Sequence, residues 1–278
     1  MTRIVTDTTC GLPLPLLAEL GIAFVPQIVT FGEQSYRDDT ELDTALFLQK
    51  LKASSTLPKT AAPVPAMYGP IFDAAARAGE SVIVVAPSAR MSGTVRSAET
   101  AAKDFPQVDV RIVDTRTIAG SLGTLTLMAH RLAAQGASAD QVVELLNDMI
   151  PRSHTYFVLD TLEYLQKGGR IGGARALLGE LLQVKPILQI REGQVESCEQ
   201  ERTKKRALDR LVEIVCEQAR DIPDTQVCVM HIDAEQEAQA LRTTLCSRLH
   251  TEHIPVYLLP PAIVVHVGPR VLAVGLFA

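Results

Sequence analysis

The chain has no tryptophan, and aromatic residues make up only 4% of its 278 positions. With 47% hydrophobic residues and a mean hydropathy of +0.14, its interior must be built from Leu, Val, Ile and Ala. Such an interior packs as an ordinary aliphatic core, and it equally suits an acyl chain. No apolar run reaches the roughly 18 residues of a membrane-spanning helix, so no stable membrane insertion is expected. No basic run extends beyond Lys204-Lys205-Arg206, and the net charge is -5. Nucleic-acid binders carry a basic footprint, so that class of partner is not expected. The basic triplet reads as the solvated face of a helix start. Five cysteines (Cys10, Cys198, Cys216, Cys228 and Cys246) form no C-x-x-C pair and match no zinc spacing. Their odd number and scatter favour reduced, structural thiols. The N-terminus enters a strand-like stretch without the apolar region of a signal peptide, which makes the cytoplasm the expected location.

The motifs of nucleotide and metal chemistry are missing too. There is no G-x-x-x-x-G-K-[ST] to cradle phosphates. The first strand runs into Thr8-Thr9-Cys10-Gly11-Leu12-Pro13 rather than G-x-G-x-x-G, against an ordinary dinucleotide site. H-E-x-x-H is absent and the six histidines are scattered. Neither a cofactor nor a metal is expected.

What is present is alternation of strands and helices. Strands are expected at 3–7, 24–31, 81–86 and 108–113, with helices at 13–20, 44–53, 66–78, 95–103, 121–134 and 139–149. Asp43 is placed to cap the second of these helices and Gly79 to end the third. The polar, acidic stretch Ser35–Asp43 and the proline-rich stretch Leu57–Pro65 read as exposed loops. This pattern is that of a parallel-sheet α/β domain. Pro151 marks a plausible boundary. Beyond it, strands at 156–159, 227–232, 256–259 and 272–277 are joined by helices at 174–182, 204–220 and 235–249. A hairpin spans 186–198. The second half therefore reads as a mixed α+β sheet, giving domains 1–150 and 151–278.

Four segments stand out chemically. Ala89-Arg90-Met91-Ser92-Gly93-Thr94 follows the apolar strand Ser81–Ala86, and loops at the carboxyl ends of parallel strands are where α/β proteins bind ligands. Ser92, Thr94 and the free amides of the next helix start suit a carboxylate, although plain helix capping explains the same hydroxyls. The sequence is not a G-x-S-x-G elbow, which weakens a hydrolase reading. Leu159–Gly173 ends a strand and a short helix in paired glycines around Arg170, a cation able to reach an anionic ligand or a partner; a solvated Arg beside a helix cap is the plainer alternative. Thr60 sits just before a helix. His266 and Arg270 share a late loop.

Together these segments resemble the DegV family over essentially the whole chain. The family's T-D-S-T is matched by Thr6-Asp7-Thr8-Thr9 and its hydroxyl–glycine loop by Ser92-Gly93-Thr94. Its L-D-T-L-E-Y-L-x-K-G-G-R-I-G is matched nearly letter for letter from Leu159, its K-P-I-L by Lys185–Leu188, and its H-x-G-P-G as far as His266–Pro269. The resemblance implies a two-domain fold with a fatty acid in a tunnel between the domains. It implies that Thr60, Ser92, Gly93 and Thr94 meet the carboxylate, and that Arg170, His266 and Arg270 stand near the head group or face a partner. It further implies a non-catalytic lipid-binding subunit serving phospholipid metabolism, with a separate ATP-binding kinase phosphorylating the carboxylate. The chain departs from the pattern at Ala61 and Ala62, where the family carries more polar residues, and at Arg270, where it carries Gly. Ile28 and the runs 122–128, 177–182 and 187–190 are candidate tunnel walls. Two rival readings remain open: an esterase or acyltransferase with Ser92 as nucleophile and His266 as base, and an interaction module docking a protein through the acidic Asp38–Asp43 loop.

Overall fold

The computed structural model describes residues 1–179, 184–219 and 226–278. Strand β1 (Thr2–Asp7) lies between β2 (Ala23–Val25) and β6 (Ser81–Ala86), and β7 (Val110–Asp114) completes a parallel sheet in the order β2-β1-β6-β7. Alternate side chains leave opposite faces of a strand, and here both faces are covered. Ile4, Ile83, Val85 and Val113 pack on helices Leu14–Glu19, Ala119–Ala134 and Ala139–Met149. Val5, Val82 and Val84 pack on Gly69–Ala78 and Thr94–Ala102. Burial on two sides is why Ser81–Ala86 reads as a continuous apolar run.

A six-stranded mixed sheet follows, in the order β10 (Gln194–Glu201), β9 (Lys185–Arg191), β8 (Ser153–Val158), β13 (Val271–Phe277), β11 (Val227–Ile232) and β12 (Val256–Leu258). Only β11 and β12 pair in parallel. One face, with Tyr156, Val158, Val229, Leu272 and Val274, is covered by helices Lys204–Gln218 and Glu235–Arg248. The residues between them, Phe157, Met230, Val271 and Ala273, point to the other face and join a core that contains Val29, Leu42 and Phe47 from the first half. Helix Ala119–Ala134 joins the two halves closely. The Gly120 amide donates to Met230 Sδ at 3.0 Å, and the Ser121 and Thr155 hydroxyls are 2.7 Å apart. A Cβ on Gly120 would fall 2.6 Å from Cys228 Sγ, so only glycine allows this approach.

The α/β class, the parallel sheet and the later mixed sheet agree with the pattern of the sequence. The largest difference is a third sheet, antiparallel, of β4 (Gln34–Arg37), β3 (Ile28–Phe31) and β5 (Lys59–Ala61). The expected single strand at 24–31 is split at Pro26-Gln27: its first part pairs in the parallel sheet and its second in the small one. Two expected loops therefore contain strands. The acidic stretch is not wholly exposed either: Asp38 retains 7% of its accessible surface and Leu42 1%, against the docking-loop reading. The structure also adds helix Pro261–Val267, and makes 172–179 a 3₁₀ helix. The remainder of the helix expected at 174–182, and Arg220 at the end of 204–220, fall outside the described residues.

A cavity capped by hydroxyls

An elongated cavity runs between the apolar face of the mixed sheet and the loops of the parallel and small sheets. The space between its atoms amounts to about 870 Å³, part of it open to solvent. Phe157, Met230, Val271 and Ala273 form its floor, and Leu165, Ala262, Ile263 and Val267 its roof. Ile118, Ala119, Ile190, Val195 and Leu259 complete the apolar part. Of the wall candidates among the described residues only Ile190 lines the cavity, and 180–182 fall outside those residues. Leu122 and Leu125 belong instead to the core beneath the parallel sheet, and Ile28, Leu177, Ile187 and Leu188 are not among the lining residues. A helix's apolar stripe shows that it is covered but not by what, so the sequence could not tell core from cavity wall.

The polar end gathers Thr9, Gln27, Thr60, Ser92, Gly93, Arg170 and His266. Each owes its place to a local feature. Thr60 is the middle residue of β5, paired with Val29. Ser92 and Gly93 end the loop after β6, with Gly93 at the N-cap of helix Thr94–Ala102. Arg170 is held by its own loop: Nη1 donates to the Gly168 carbonyl at 2.8 Å and Nε to the Met91 carbonyl at 3.3 Å. His266 closes helix Pro261–Val267 and reaches Thr60, Nε2 to Oγ1, at 2.9 Å.

The paired glycines now have a reason. A Cβ on Gly168 would fall 2.4 Å from His266 Nδ1, so the ring rests on a bare backbone. Gly172, at φ +50, lies so close to the Val195 carbonyl that no side chain fits there. Burial, and secondarily the Arg170 charge, lowers the His266 imidazole to about 4. The ring is therefore neutral near pH 7. Its Nδ1 has no partner among the described residues, which favours the tautomer with the hydrogen on Nε2, since an orphaned N–H is the costlier loss. That hydrogen goes to Thr60 Oγ1 and leaves the Thr60 O–H free to donate into the cavity.

Two expected residues lie elsewhere. Thr94 is fully buried and is not part of the cavity surface; it stands behind Ser92, with the two hydroxyls 2.9 Å apart. Arg270 points away, toward Asp160 (3.3 Å) and Glu237 (3.5 Å). Its φ of +61° shows why the family pattern has glycine there. Of the two departures in the Thr60 loop, Ala62 lines the cavity and Ala61 is exposed. Among the described residues the esterase reading finds no triad: His266 bonds Thr60 rather than Ser92, has no carboxylate partner there, and is a weak base. Among the described residues, no group of three or more His, Cys, Asp or Glu could hold a metal ion, and no helix is long and apolar enough to cross a membrane.

Reading the sequence missed the roles of Gln27 and Asp7. Gln27 is 3% exposed, and its Nε2 lies 2.6 Å from Asp7 Oδ2 and 3.0 Å from Thr94 Oγ1. Asp7 is fully buried; its Oδ1 accepts from the Thr9 amide at 2.9 Å and from the Thr9 hydroxyl, and its Oδ2 meets Thr94 Oγ1 at 2.6 Å. Only the T-D-S-T match pointed to this corner, and it assigned the aspartate no task.

A family model described as uncharacterised protein, DegV family, matches residues 1–278. A DegV domain-containing protein of Deinococcus radiodurans is 35% identical over 274 residues, covering 98% of this chain and 97% of its own. A solved DegV family protein from Thermus thermophilus, described by its fatty acid binding, superposes with a TM-score of 0.94 at 32% identity, over 100% of this chain and 99% of its own. DegV of Bacillus subtilis, described as a fatty acid binding protein, gives 0.91 at 29% identity, over 100% and 99%.

Proposed function

The chain belongs to the DegV family, and from that premise we propose that it binds one long-chain fatty acid, tail inward, with the carboxylate held at the polar end of the cavity. The observation that carries the reading is the cavity's polarity: apolar along the sheet face, with the Thr9, Thr60 and Ser92 hydroxyls and the Arg170 guanidinium among its lining. Each buried methylene contributes roughly 0.8 kcal/mol, so about fourteen contribute on the order of 11 kcal/mol before ordering costs. A hydrogen bond to a charged group adds about 1.5–3 kcal/mol. The tail therefore supplies most of the affinity, and the Thr60 and Ser92 hydroxyls, with Arg170, fix the head group and offset its desolvation.

The test is mass spectrometry of lipid extracted from the denatured, purified protein. A stoichiometric fatty acid is expected; a polar metabolite would overturn the reading. In Ser92→Ala the expected loss is about 10- to 100-fold in palmitate affinity, from one charge-assisted hydrogen bond, with the tail still bound. A folded Ser92→Ala protein that takes up no lipid at all would mean that the hydroxyl, not the tail, dominates.

The second part of the proposal is that the carboxylate is offered to a separate ATP-binding kinase subunit and becomes an acyl phosphate. It is supported by the surface at the mouth, where Met91, Ser92, Gly93 and Arg170 also border a shallow hollow flanked by Arg90 and Arg96. Three guanidinium groups around one opening suit a phosphate. Loaded protein, given ATP and an extract of its own host, should yield a hydroxamate when hydroxylamine traps the product. Hydroxamate formation that does not depend on the added protein would count against the kinase role.

A further inference from the structure

We propose that Asp7 is a positioning residue that carries a proton when the cavity holds a fatty acid, and that this proton is what makes Ser92 a hydrogen-bond donor to the carboxylate. The inference rests on the fatty-acid reading above and deepens it.

The argument is a count of hydrogens. Asp7 Oδ2, Thr94 Oγ1 and Ser92 Oγ stand in a row, at 2.6 Å and 2.9 Å. A ligand carboxylate on Ser92 makes the row four groups long, with three links. Each link needs one hydrogen, and the two hydroxyls supply two. With both ends ionised one link goes without a hydrogen: Thr94 donates to Asp7, and Ser92 either donates to Thr94 and turns a lone pair toward the anion, or donates to the ligand and leaves two hydroxyl lone pairs facing each other at 2.9 Å. One added proton completes the row. Placed on Asp7, it goes to Thr94, the Thr94 hydrogen turns to Ser92, and the Ser92 hydrogen turns to the ligand. The other contacts fit this arrangement, because Thr94 Oγ1 and Ser92 Oγ each also accept a hydrogen, from Gln27 Nε2 and from the Thr94 amide. Turning the Gln27 amide over would set two oxygens 2.6 Å apart, which again needs a proton on Asp7.

The surroundings decide which end keeps the proton. The cavity end has Arg170 and the start of a nine-residue helix, both of which favour an ionised ligand. The ionisable groups that face Asp7 are Cys10 on its own turn, Tyr68 from the turn before helix Gly69–Ala78, and Asp38 after β4. None of these brings a positive charge. Asp7 accepts several hydrogen bonds, which favour its ionised form, yet full burial outweighs them and raises its pKa. A second negative charge arriving at Ser92 acts in the same direction.

The test uses the full-length protein loaded with [1-¹³C]palmitate at pH 8. Carbon NMR should show an ionised palmitate carboxylate. Infrared spectroscopy should show one protonated-carboxyl band that shifts when the aspartates are ¹³C-labelled, stays in Asp38→Asn, and is lost in Asp7→Asn. Should Asp7→Asn not fold, persistence of the labelled band in Asp38→Asn still makes the assignment, because Asp38 is the other buried aspartate among the described residues. Palmitate bound as the neutral acid, or bound with no protonated aspartate, overturns the inference and leaves the fatty-acid reading standing. Failure to retain palmitate at all overturns that reading, and this inference with it.

Discussion

Replacing Ala273 with leucine should cut palmitate affinity by at least about a thousandfold while the protein stays folded. Ala273 lies in β13, opposite Phe157 on one side and Met230 on the other, and all three line the cavity. Its methyl group leaves the space that a tail would occupy. Three more carbons there block the passage and strand roughly half of the chain, about seven methylenes, outside the apolar region, for a loss of about 6 kcal/mol. That corresponds to more than three powers of ten. Overpacking a filled core usually costs about 1–3 kcal/mol, but here the added side chain enters empty space, so the unfolding midpoint should fall little or even rise. Isothermal titration with palmitate and a thermal melt give the two readouts. Unchanged affinity in a folded variant would show that the acyl chain does not run past β13.

The second large effect is on stability against pH. Burial pushes the Asp38 carboxyl up to about 7. Its Oδ1 accepts from the Thr8 hydroxyl at 2.7 Å and the Gln27 main-chain N–H at 2.9 Å, but its Oδ2 has no partner among the described residues. In the unfolded chain the group titrates near 3.9. Between these values the native state holds the proton more tightly than the unfolded state does. The contribution of Asp38 to stability is therefore fully present below about pH 4, is lost as the pH rises toward 7, and changes no further above it. The slope is about 1.4 kcal/mol per pH unit, or roughly 3–4 kcal/mol across the window. Asp7 acts in the same direction. Urea unfolding of delipidated protein at pH 5 and pH 8 isolates this contribution as a difference, because the buried His266 acts in the opposite sense in both proteins: the change from pH 5 to pH 8 should be less favourable in the wild type than in Asp38→Asn by most of this amount. Parallel losses in the two proteins would mean that Asp38 is ionised in the native state throughout.

These two residues also mark how far the sequence could be read. Ala273 sits in a strand that the apolar run near the C-terminus announced, yet nothing in that run separates a residue packed on helices from its neighbour facing empty space. Asp38 was hidden in the opposite way. It lies in Arg37-Asp38-Asp39-Thr40-Glu41, and such composition reads as solvated surface. Only the pairing of β3 with β4 turns the chain so that Asp38 goes in while Asp39 turns to the exposed Arg37, at 2.7 Å. Strands of three or four residues, such as β2 to β5, carry too few alternations to declare themselves. Arg270 shows a third kind of limit: the motif match gave its neighbourhood, and its direction came from Asp160 and Glu237, which belong to other segments.

By itself the sequence determined the elements that local chemistry controls. The buried parallel strand Ser81–Ala86, the Asp43 cap, the Gly79 stop and the hairpin around Gly193 follow from burial periodicity and backbone freedom, which act over a few residues. It also held the glycines of Gly168–Gly173, although not what they make room for. Tertiary structure alone decided that Thr60 and His266, 206 positions apart, share a hydrogen bond, and that Asp7, Thr94 and Ser92 form one row. It alone left a cavity where two halves of an aliphatic core meet. The reason is physical: hydrophobic burial is nondirectional, so an oily sequence states how much surface must leave water, while the packing of distant segments settles where an empty space remains and which polar groups close its end.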